Sequence, residues 1–430
     1  MHLIFLIHGL FGNPKHMDSM LHSLEGRAKQ QKLDVHVYVA QTIATTRTFD
    51  GIQHNAERLY LEILQVMTDI NATEVSIIGY SMGGLCARVL VGLLYEEAIL
   101  NKVSPKVFAT FATPHLGSYY YLPEDVSFWS SKYLFSNVFN LLAPLVTGPS
   151  GFDLFRKNGN LNKLASFESN SMKGLKKFKT LLLFANGTKD RTVHFWTSFI
   201  TDRNPFYYIH QGKEDSDVYI ENRSDVSDQR SSTMSIKTYV GFPMFVDLKT
   251  SLYGESHQSE VSAPTSLKTI LIRPFIFVIL LLGLSSVSTL AWIKLGWRHI
   301  TGHLTKSKAQ KQLIREKFID KLQDIVESTL NEQESDNEEL VKVTSTELGS
   351  EIECALSPGY AGFVESCPNI MDLTDETLEN IQNLNSLPWR KFVIALEEGN
   401  AHAGIIDRIE KNKNGKKIMN YLAYYVFNQC

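Results

Sequence analysis

One serine is flanked by glycines in a pattern that could support nucleophilic chemistry. The segment Gly79-Tyr80-Ser81-Met82-Gly83 fits the pattern Gly-x-Ser-x-Gly, in which a sharp turn between a strand and a helix presents a serine hydroxyl. The β-branched run Val75–Ile78 precedes this turn, and a run of helix formers from Leu85 follows it. Since glycine leaves the space that such a turn needs, the sequence predicts Ser81 as a nucleophile.

A serine hydroxyl is a weak nucleophile at neutral pH, so it needs a base to take its proton and an acid to orient the base. On the fold that uses this turn, the chain order is Ser, then Asp or Glu, then His. Asp190 follows the apolar run Thr180–Ala185 and the turn signal Asn186-Gly187. Asp190 is therefore the predicted acid, and Asp153 and Asp202 are the alternatives.

The predicted base is His402, one of 13 histidines in the chain. It lies late in the sequence, as the chain order requires, after the apolar run Phe392–Leu396. Its neighbours in Asn400-Ala-His-Ala-Gly404 are small. We expect them to let the imidazole project from a loop into a crowded site.

Negative charge that develops on a substrate oxygen needs backbone N–H donors. In this fold the residue after the nucleophile and a loop after an early strand supply them. Met82 follows Ser81, and His8–Gly12 follows the first apolar run. Met82 and Leu10 are therefore the predicted donors of an oxyanion hole, and His8 is predicted to be structural.

The elements that must position these residues alternate between strand-like and helical patterns. The strand-like runs are Leu3–Ile7, Val35–Val39, Val75–Ile78, Val107–Thr110 and Thr180–Ala185. Such alternation predicts an α/β fold with a mostly parallel, doubly wound sheet of the α/β-hydrolase type. The irregular, aromatic-rich stretch of about 119–177 is predicted to be a helical cap.

The composition favours a globular enzyme. A chain of 430 residues with 43% hydrophobic content can bury at least one large core. The net charge of -3 gives no overall basic field that would draw the chain onto nucleic acid. The four cysteines are too scattered for a disulfide framework or a metal cluster. We therefore expect no nucleic-acid partner, metal or organic cofactor, and the short apolar start reads as a strand, not a signal peptide.

An uncharged stretch, Pro274–Ile293, lies between Arg273 and Lys294. Its 20 residues could just cross a bilayer core of about 30 Å. One crossing would place Ser81 and His402 on opposite faces, so we expect a hairpin or an interfacial segment that leaves both on one face. A buried core helix is the alternative.

Positive charge is concentrated after this stretch, at Lys294, Arg298, Lys306, Lys308, Lys311, Arg315 and Lys317. Such a cluster attracts anionic head groups. Apolar positions at helical spacing within residues 307–330 predict an amphipathic helix that packs on lipid or on protein. The acidic, Ser/Thr-rich residues 331–353 predict a flexible linker.

These observations divide the chain into five segments. They are a hydrolase core at 1–205, a polar insertion at 206–268, a membrane-associated segment at 269–330, a flexible linker at 331–385, and a C-terminal part of the core at 386–430 that carries His402.

Five motifs resemble those of the eukaryotic serine esterase family of lipases, whose fungal members include lipid-droplet phospholipases and monoacylglycerol lipases. The motifs are His8-Gly-Leu-Phe-Gly-Asn-Pro14, the turn Gly79 to Gly84, Ala112-Thr-Pro-His-Leu-Gly117, Phe184-Ala-Asn-Gly-Thr-Lys-Asp190-Arg-Thr-Val193, and Leu387-Pro-Trp-Arg-Lys391 leading to Asn400-Ala-His-Ala403. The resemblance implies an α/β-hydrolase fold, with Asp190 as acid and His402 as base.

With the apolar stretch, this resemblance favours hydrolysis of glycerophospholipid acyl esters through an acyl-enzyme. The expected place is a lipid droplet or the cytoplasmic face of an intracellular membrane, and no partner protein is predicted. Neutral mono-, di- and triacylglycerols are the alternative substrates. A non-catalytic lipid-droplet tether and a soluble thioesterase or protein esterase are the other classes considered.

Overall fold

A computed structural model gives the fold of the part of the chain that carries the predicted site. The structure describes residues 1–119, 140, 143–144, 147–155, 159–187, 189–190, 192–206, 218–222, 234–239, 242–246, 252–253, 293, 316, 364, 367, 370–396, 400–408 and 414–428.

The strands form one sheet in the order β2-β1-β3-β4-β5-β10-β8-β7-β6, with β9 paired to β7. Their bounds are β1 His2–Ile7, β2 Val35–Val39, β3 Glu74–Tyr80, β4 Ser104–Phe111, β5 Thr180–Asn186, β6 Val218–Asn222, β7 Met234–Tyr239, β8 Phe242–Val246, β9 Leu252–Tyr253 and β10 Trp389–Ile394. The part from β2 to β10 is parallel throughout, and β8 joins β10 in the antiparallel direction. The predicted mostly parallel sheet is confirmed.

Helices cover both faces of this sheet. Their bounds are α1 Asp18–Gln31, α2 Ile52–Ile70, α3 Met82–Glu96, α4 Gly148–Leu154, α5 Asn160–Ala165, α6 Asn170–Leu175, α7 Phe195–Phe199, α8 Asp375–Asn385, α9 Ala401–Gly404 and α10 Gly415–Asn428; short 3-10 helices lie at Pro14–Met17, Thr45–Asp50 and Ile99–Asn101.

Strand β1 has apolar residues from Leu3 to Ile7 because both of its faces are covered. Leu3, Phe5 and Ile7 point to the core shared with α2 and α3, whereas Ile4 and Leu6 point to the core shared with α1 and α10. A parallel strand with helices on both faces must bury both sets of side chains. Every residue of β1 is therefore buried.

The strand order determines where a site can form. The chain goes from β1 outward to β2 and returns to place β3 on the other side of β1. The loops after β1 and β3 therefore diverge at the carboxyl edge of the sheet, and such a switch point is where open α/β sheets bind ligands. The predicted oxyanion loop and Ser81 follow these two strands.

Two predicted boundaries differ from the structure. The segment predicted as a polar insertion, 206–268, contributes β6 to β9, which continue the sheet beyond β10. The prediction of a linker over 331–385 was wrong for its last residues, because Asp375–Asn385 forms α8 with Ile381 and Leu384 buried. Thr374 begins this helix by accepting a hydrogen bond from the Thr377 amide.

The remaining predictions about the middle of the chain lie largely outside the described residues. The apolar stretch 274–293, the amphipathic helix within 307–330 and the acidic stretch 331–353 have only Ile293 and Glu316 among the described positions. Of the predicted cap, about 119–177, the structure describes α4, α5 and α6. None of the described helices has the length and apolar character needed to cross a bilayer.

Candidate active site

Ser81 stands at a strained turn between β3 and α3. Its backbone has φ 55° and ψ −131°, a left-handed φ that costs a residue with a Cβ energy. The Ser81 amide donates to the Phe111 carbonyl at 2.8 Å, and the Ser81 carbonyl accepts from the Gly84 amide at 3.0 Å. A Cβ on Gly83 would overlap the His8 carbonyl oxygen. This turn therefore fits against β1 because Gly83 has no side chain.

The structure brings the three predicted residues together. Ser81 Oγ lies 3.0 Å from His402 Nε2, and His402 Nδ1 lies 2.9 Å from Asp190 Oδ2. Ser81 follows β3, Asp190 follows β5 and His402 lies in α9 after β10, so parallel strands deliver all three to one edge. All three side chains are buried.

Asp190 is held as a carboxylate. Its Oδ1 accepts from the amides of Thr192 and Val193, both at 2.9 Å. Burial alone would raise the pKa of Asp190, but its charge interaction and hydrogen bond with His402, with hydrogen bonds from Val193 and Asn186, outweigh burial and hold the pKa below its usual value. An ionised carboxylate can only accept, so Nδ1 of His402 carries its hydrogen and Nε2 is free to accept from Ser81.

His402 is fixed by contacts on both its backbone and its ring. The Asn400 side chain accepts from the His402 amide at 3.1 Å and caps α9. The Tyr80 hydroxyl donates to the His402 carbonyl at 2.9 Å, and the two ring centroids are 5.1 Å apart. These contacts hold the backbone of His402 and place the Tyr80 ring beside its imidazole.

The loop after β1 lies directly against the nucleophile. A Cβ on Gly9 would come within 2.7 Å of Ser81 Cβ. The Leu10 and Met82 amides donate to no backbone acceptor among the described residues, so both are available to a substrate oxygen. His8 is buried beside them and donates through Nδ1 to the Gly9 carbonyl at 3.1 Å, and burial lowers its pKa.

The alternative acids lie elsewhere. Asp153 is in α4, where its oxygens accept from the Ile52 amide at 2.8 Å and from Asn160 at 2.7 Å. Asp202 is 39% exposed and faces the Arg203 guanidinium at 3.9 Å. Among the described residues, no group of His, Cys, Asp or Glu side chains could hold a metal ion.

Sequence reasoning missed two polar residues at this site, Asn186 and Tyr80. Asn186 was interpreted as a turn signal, but it is the last residue of β5 and its side chain is buried. Tyr80 occupies a variable position of the Gly-x-Ser-x-Gly pattern. For Asn186 a signal was available in the sequence: it is a polar residue at the end of an apolar strand, four positions before the acid.

A parallel sheet whose carboxyl edge carries serine, aspartate and histidine in this order defines the α/β-hydrolase class of fold. Residues 1–201 match the model of the family described as "Putative serine esterase (DUF676)". The match covers just under half of the chain, so this part of the chain is similar to that family, and the expected resemblance to serine esterases is confirmed.

Individual relatives also match part of the chain. The chain is 27% identical over 206 residues to "Putative lipase ROG1" of Saccharomyces cerevisiae, covering 46% of this chain and 28% of that protein. It is 31% identical over 115 residues to a triacylglycerol lipase of Pseudarthrobacter phenanthrenivorans, covering 27% and 34%. The chain thus spans about a third of the length of these relatives. The crystal structure of mature lipase BlEst2 of Bacillus licheniformis matches 48% of this chain and 71% of that one, with 16% identity and a TM-score of 0.30.

Proposed function

We propose that this chain is a serine lipase that hydrolyses acyl esters through an acyl-enzyme. The observation that carries the proposal is the continuous hydrogen-bonded series from Ser81 through His402 to Asp190, with distances of 3.0 and 2.9 Å. Hydrogen-bond reach between nucleophile and base, and between base and acid, is the geometry that activates a serine.

The chemistry follows from these atoms. His402 Nε2 takes the proton of Ser81 as Oγ attacks the ester carbonyl, and Asp190 stabilises the imidazolium that forms. The amides of Leu10 and Met82 stabilise the oxyanion. His402 then gives its proton to the leaving alcohol, which leaves an acyl group on Ser81. Water, activated by the same imidazole, attacks the acyl-enzyme and releases the fatty acid.

We infer that the substrates are glycerophospholipids at the surface of a lipid droplet or at the cytoplasmic face of a membrane. The uncharged stretch 274–293 would bury in lipid. The basic side chains that follow it would attract anionic head groups. Neutral acylglycerols are the second candidate, favoured by the similarity to a triacylglycerol lipase.

The separation of Ser81 from His402 in the sequence supports a same-face attachment. The apolar stretch lies between them in the chain, yet their side chains meet at 3.0 Å. An odd number of crossings in the intervening chain would put them on opposite faces of the bilayer. We therefore propose that residues 274–293 enter and leave the same leaflet or lie in the interface.

The substrate proposal is tested with the purified full chain. It is incubated with vesicles of phosphatidylcholine, with and without phosphatidylserine, and with emulsions of mono-, di- and triacylglycerol, and fatty-acid release is measured. Fastest hydrolysis of the phospholipids, absent in Ser81→Ala, supports the proposal. Fastest hydrolysis of an acylglycerol favours the second candidate, and release that is unchanged in Ser81→Ala rejects both.

The attachment proposal is tested by deleting residues 274–293. The deletion should release the protein from floated vesicles and should lower activity on vesicles far more than on a short water-soluble ester. Deletion of residues 331–350, a stretch of equal length in the predicted linker, is the matched control and should do neither. Tags at both ends, of which only one is cleaved by protease added to intact vesicles, would contradict the same-face arrangement.

A further inference from the structure

Asn186 connects the segment that carries the acid to the segment that carries the base. It is the last residue of β5 and is 1% exposed. Its Nδ2 donates to Asp190 Oδ2 at 2.8 Å and to the Ala401 carbonyl at 3.1 Å. Ala401 directly precedes His402 in α9, so one amide group contacts both segments.

Asn186 contacts the same oxygen of Asp190, Oδ2, that accepts the hydrogen bond from His402. Oδ1 is held by two backbone amides, whereas Oδ2 accepts from His402 Nδ1 and from Asn186. A donor on Oδ2 restricts rotation of the carboxylate about its bond to Cβ. Because an amide does not titrate, it provides this restraint at every pH without competing for the catalytic proton.

The contact with Ala401 fixes the position of the histidine backbone. The α9 helix has only four residues, Ala401–Gly404, so its own hydrogen bonds hold it weakly. Asn186 supplies a bond from the central sheet to the first residue of this helix. Loss of that bond would let His402 move relative to Asp190.

We propose that Asn186 is a positioning residue for the proposed hydrolysis, on which this inference rests. Its amide sets the distance and orientation between Asp190 and His402, and through them the alignment of Nε2 with Ser81 Oγ. It does not touch the substrate, so its loss should lower kcat and leave KM nearly unchanged.

Asn186→Leu tests the role because it keeps the branched side-chain skeleton and removes both hydrogen bonds. With a water-soluble short-chain ester, kcat should fall by roughly 10- to 100-fold, corresponding to two buried hydrogen bonds, while KM changes by less than about threefold. Asn380→Leu is the matched control. Asn380 is also a buried asparagine, which donates to Asn162 at 2.6 Å in the contact between α8 and α5, and its loss should leave kcat within about twofold.

Asn186→Asp provides a readout that a purely structural role would not give. It places a second carboxyl group against Asp190, and two adjacent carboxylates cannot readily both be ionised. While the pair holds one proton, a carboxyl hydrogen can replace the amide hydrogen on Oδ2. As the pH rises and this proton is lost, repulsion should separate the pair. The kcat profile of the variant should therefore fall at a lower pH on the alkaline side than that of the unmodified protein.

The outcomes separate the two proposals. If the unmodified protein shows no Ser81-dependent ester hydrolysis, the proposed function fails. If the unmodified protein is active, either of two results overturns the positioning role alone. One is a folded Asn186→Leu variant whose kcat stays within threefold of the unmodified value, and the other is an Asn186→Asp pH profile that coincides with that of the unmodified protein. Near-ultraviolet circular dichroism at each pH shows which variants are folded, and the Asn186→Asp profile decides the matter if Asn186→Leu does not fold.

Discussion

At the scale of the residue, the site depends on a buried carboxylate that remains ionised. Asp190 is almost fully buried, yet its pKa is held below the usual value by hydrogen bonds and by the charge interaction with His402. Both carboxylate oxygens of Asp190 accept hydrogen bonds. These bonds are needed because a buried charge without partners is unstable. The same contacts determine which nitrogen of His402 carries the proton.

Asp190→Asn should keep the shape of the site and lose its chemistry. An amide cannot serve as an anionic acceptor for the Nδ1 hydrogen, so the imidazole adopts the wrong tautomer and kcat should fall by about 10⁴-fold with little change in KM. Steady-state kinetics on a water-soluble ester measures both values. Asp153→Asn and Asp202→Asn are the controls, since neither carboxylate contacts His402. If Asp190→Asn keeps its kcat while one of the control variants loses it, the acid has been assigned to the wrong residue.

Residue identity in the candidate triad could be predicted from sequence because the nucleophile turn is a local pattern and the chain order restricts the other two members. Asn186 could not be assigned its contacts in the same way. Its hydrogen bond to the Ala401 carbonyl joins residues 215 positions apart, and it exists because β5 and β10 pair in one register. Nothing local to Asn186 specifies that register.

At the scale of the element, one lysine ties two helix ends to the strand that precedes His402. Lys391 lies in β10, and its Nζ donates to the Phe199 carbonyl at 2.8 Å, the Ile200 carbonyl at 3.3 Å and Asn385 Oδ1 at 2.8 Å. These acceptors lie at the carboxyl ends of α7 and α8, and burial lowers the pKa of Lys391 to about 7.

Lys391→Met should weaken the fold rather than the chemistry. The substitution keeps much of the aliphatic stem but removes the three hydrogen bonds, which should lower the free energy of unfolding by roughly 1–3 kcal/mol. Urea unfolding followed by fluorescence measures this change, and kcat of the folded variant should be nearly normal. Lys173→Met is the control, because its ion pair with Glu168 is exposed and its loss should not shift the urea midpoint. Equal urea midpoints for both variants would show that the hydrogen bonds of Lys391 do not stabilise the fold.

The central strands were predictable because parallel strands covered on both faces are continuous apolar runs. Helix α8 and strands β6 and β7 were not, because polar residues alternate with their apolar ones and their sequences resemble linkers. In α8 the buried positions include Thr377, Asn380 and Asn383 as well as two aliphatic residues. Because so few of its residues are apolar, this helix resembles a linker in composition, and its packing is specified by its tertiary contacts.

At the scale of the whole molecule, three buried histidines link the stability of the fold to pH. Burial lowers the pKa of His2 to about 4, lowers that of His8, and lowers that of His115 well below its usual value. In the unfolded chain each would titrate near 6.5. Below that pH the unfolded chain binds protons that the folded chain excludes. The contribution of these histidines to the free energy of unfolding is therefore fully present above pH 6.5 and is lost as the pH decreases toward their folded-state pKa values.

His115→Gln should make this acid dependence shallower. Each excluded proton contributes up to about 1.4 kcal/mol per pH unit, so removing one histidine should reduce the slope of unfolding free energy against pH by about that amount between pH 6 and 5. The glutamine can retain a hydrogen bond in place of the 3.0 Å contact between His115 Nε2 and Thr110. Urea titrations at several pH values give both slopes, and parallel lines would mean that folding does not lower the pKa of His115.

The most direct test of the central claim, that Ser81 is a nucleophile activated by His402, is covalent labelling with a fluorophosphonate followed by peptide mass spectrometry. The reagent loses fluoride when an activated hydroxyl attacks its phosphorus. The geometry, with Ser81 Oγ 3.0 Å from Nε2, predicts a single rapid adduct on the peptide that contains Ser81. That adduct should be absent in Ser81→Ala and strongly slowed in folded His402→Gln. Folded, unmodified protein that gives no adduct, that is labelled at another residue, or that reacts equally fast when His402 is replaced would contradict the claim.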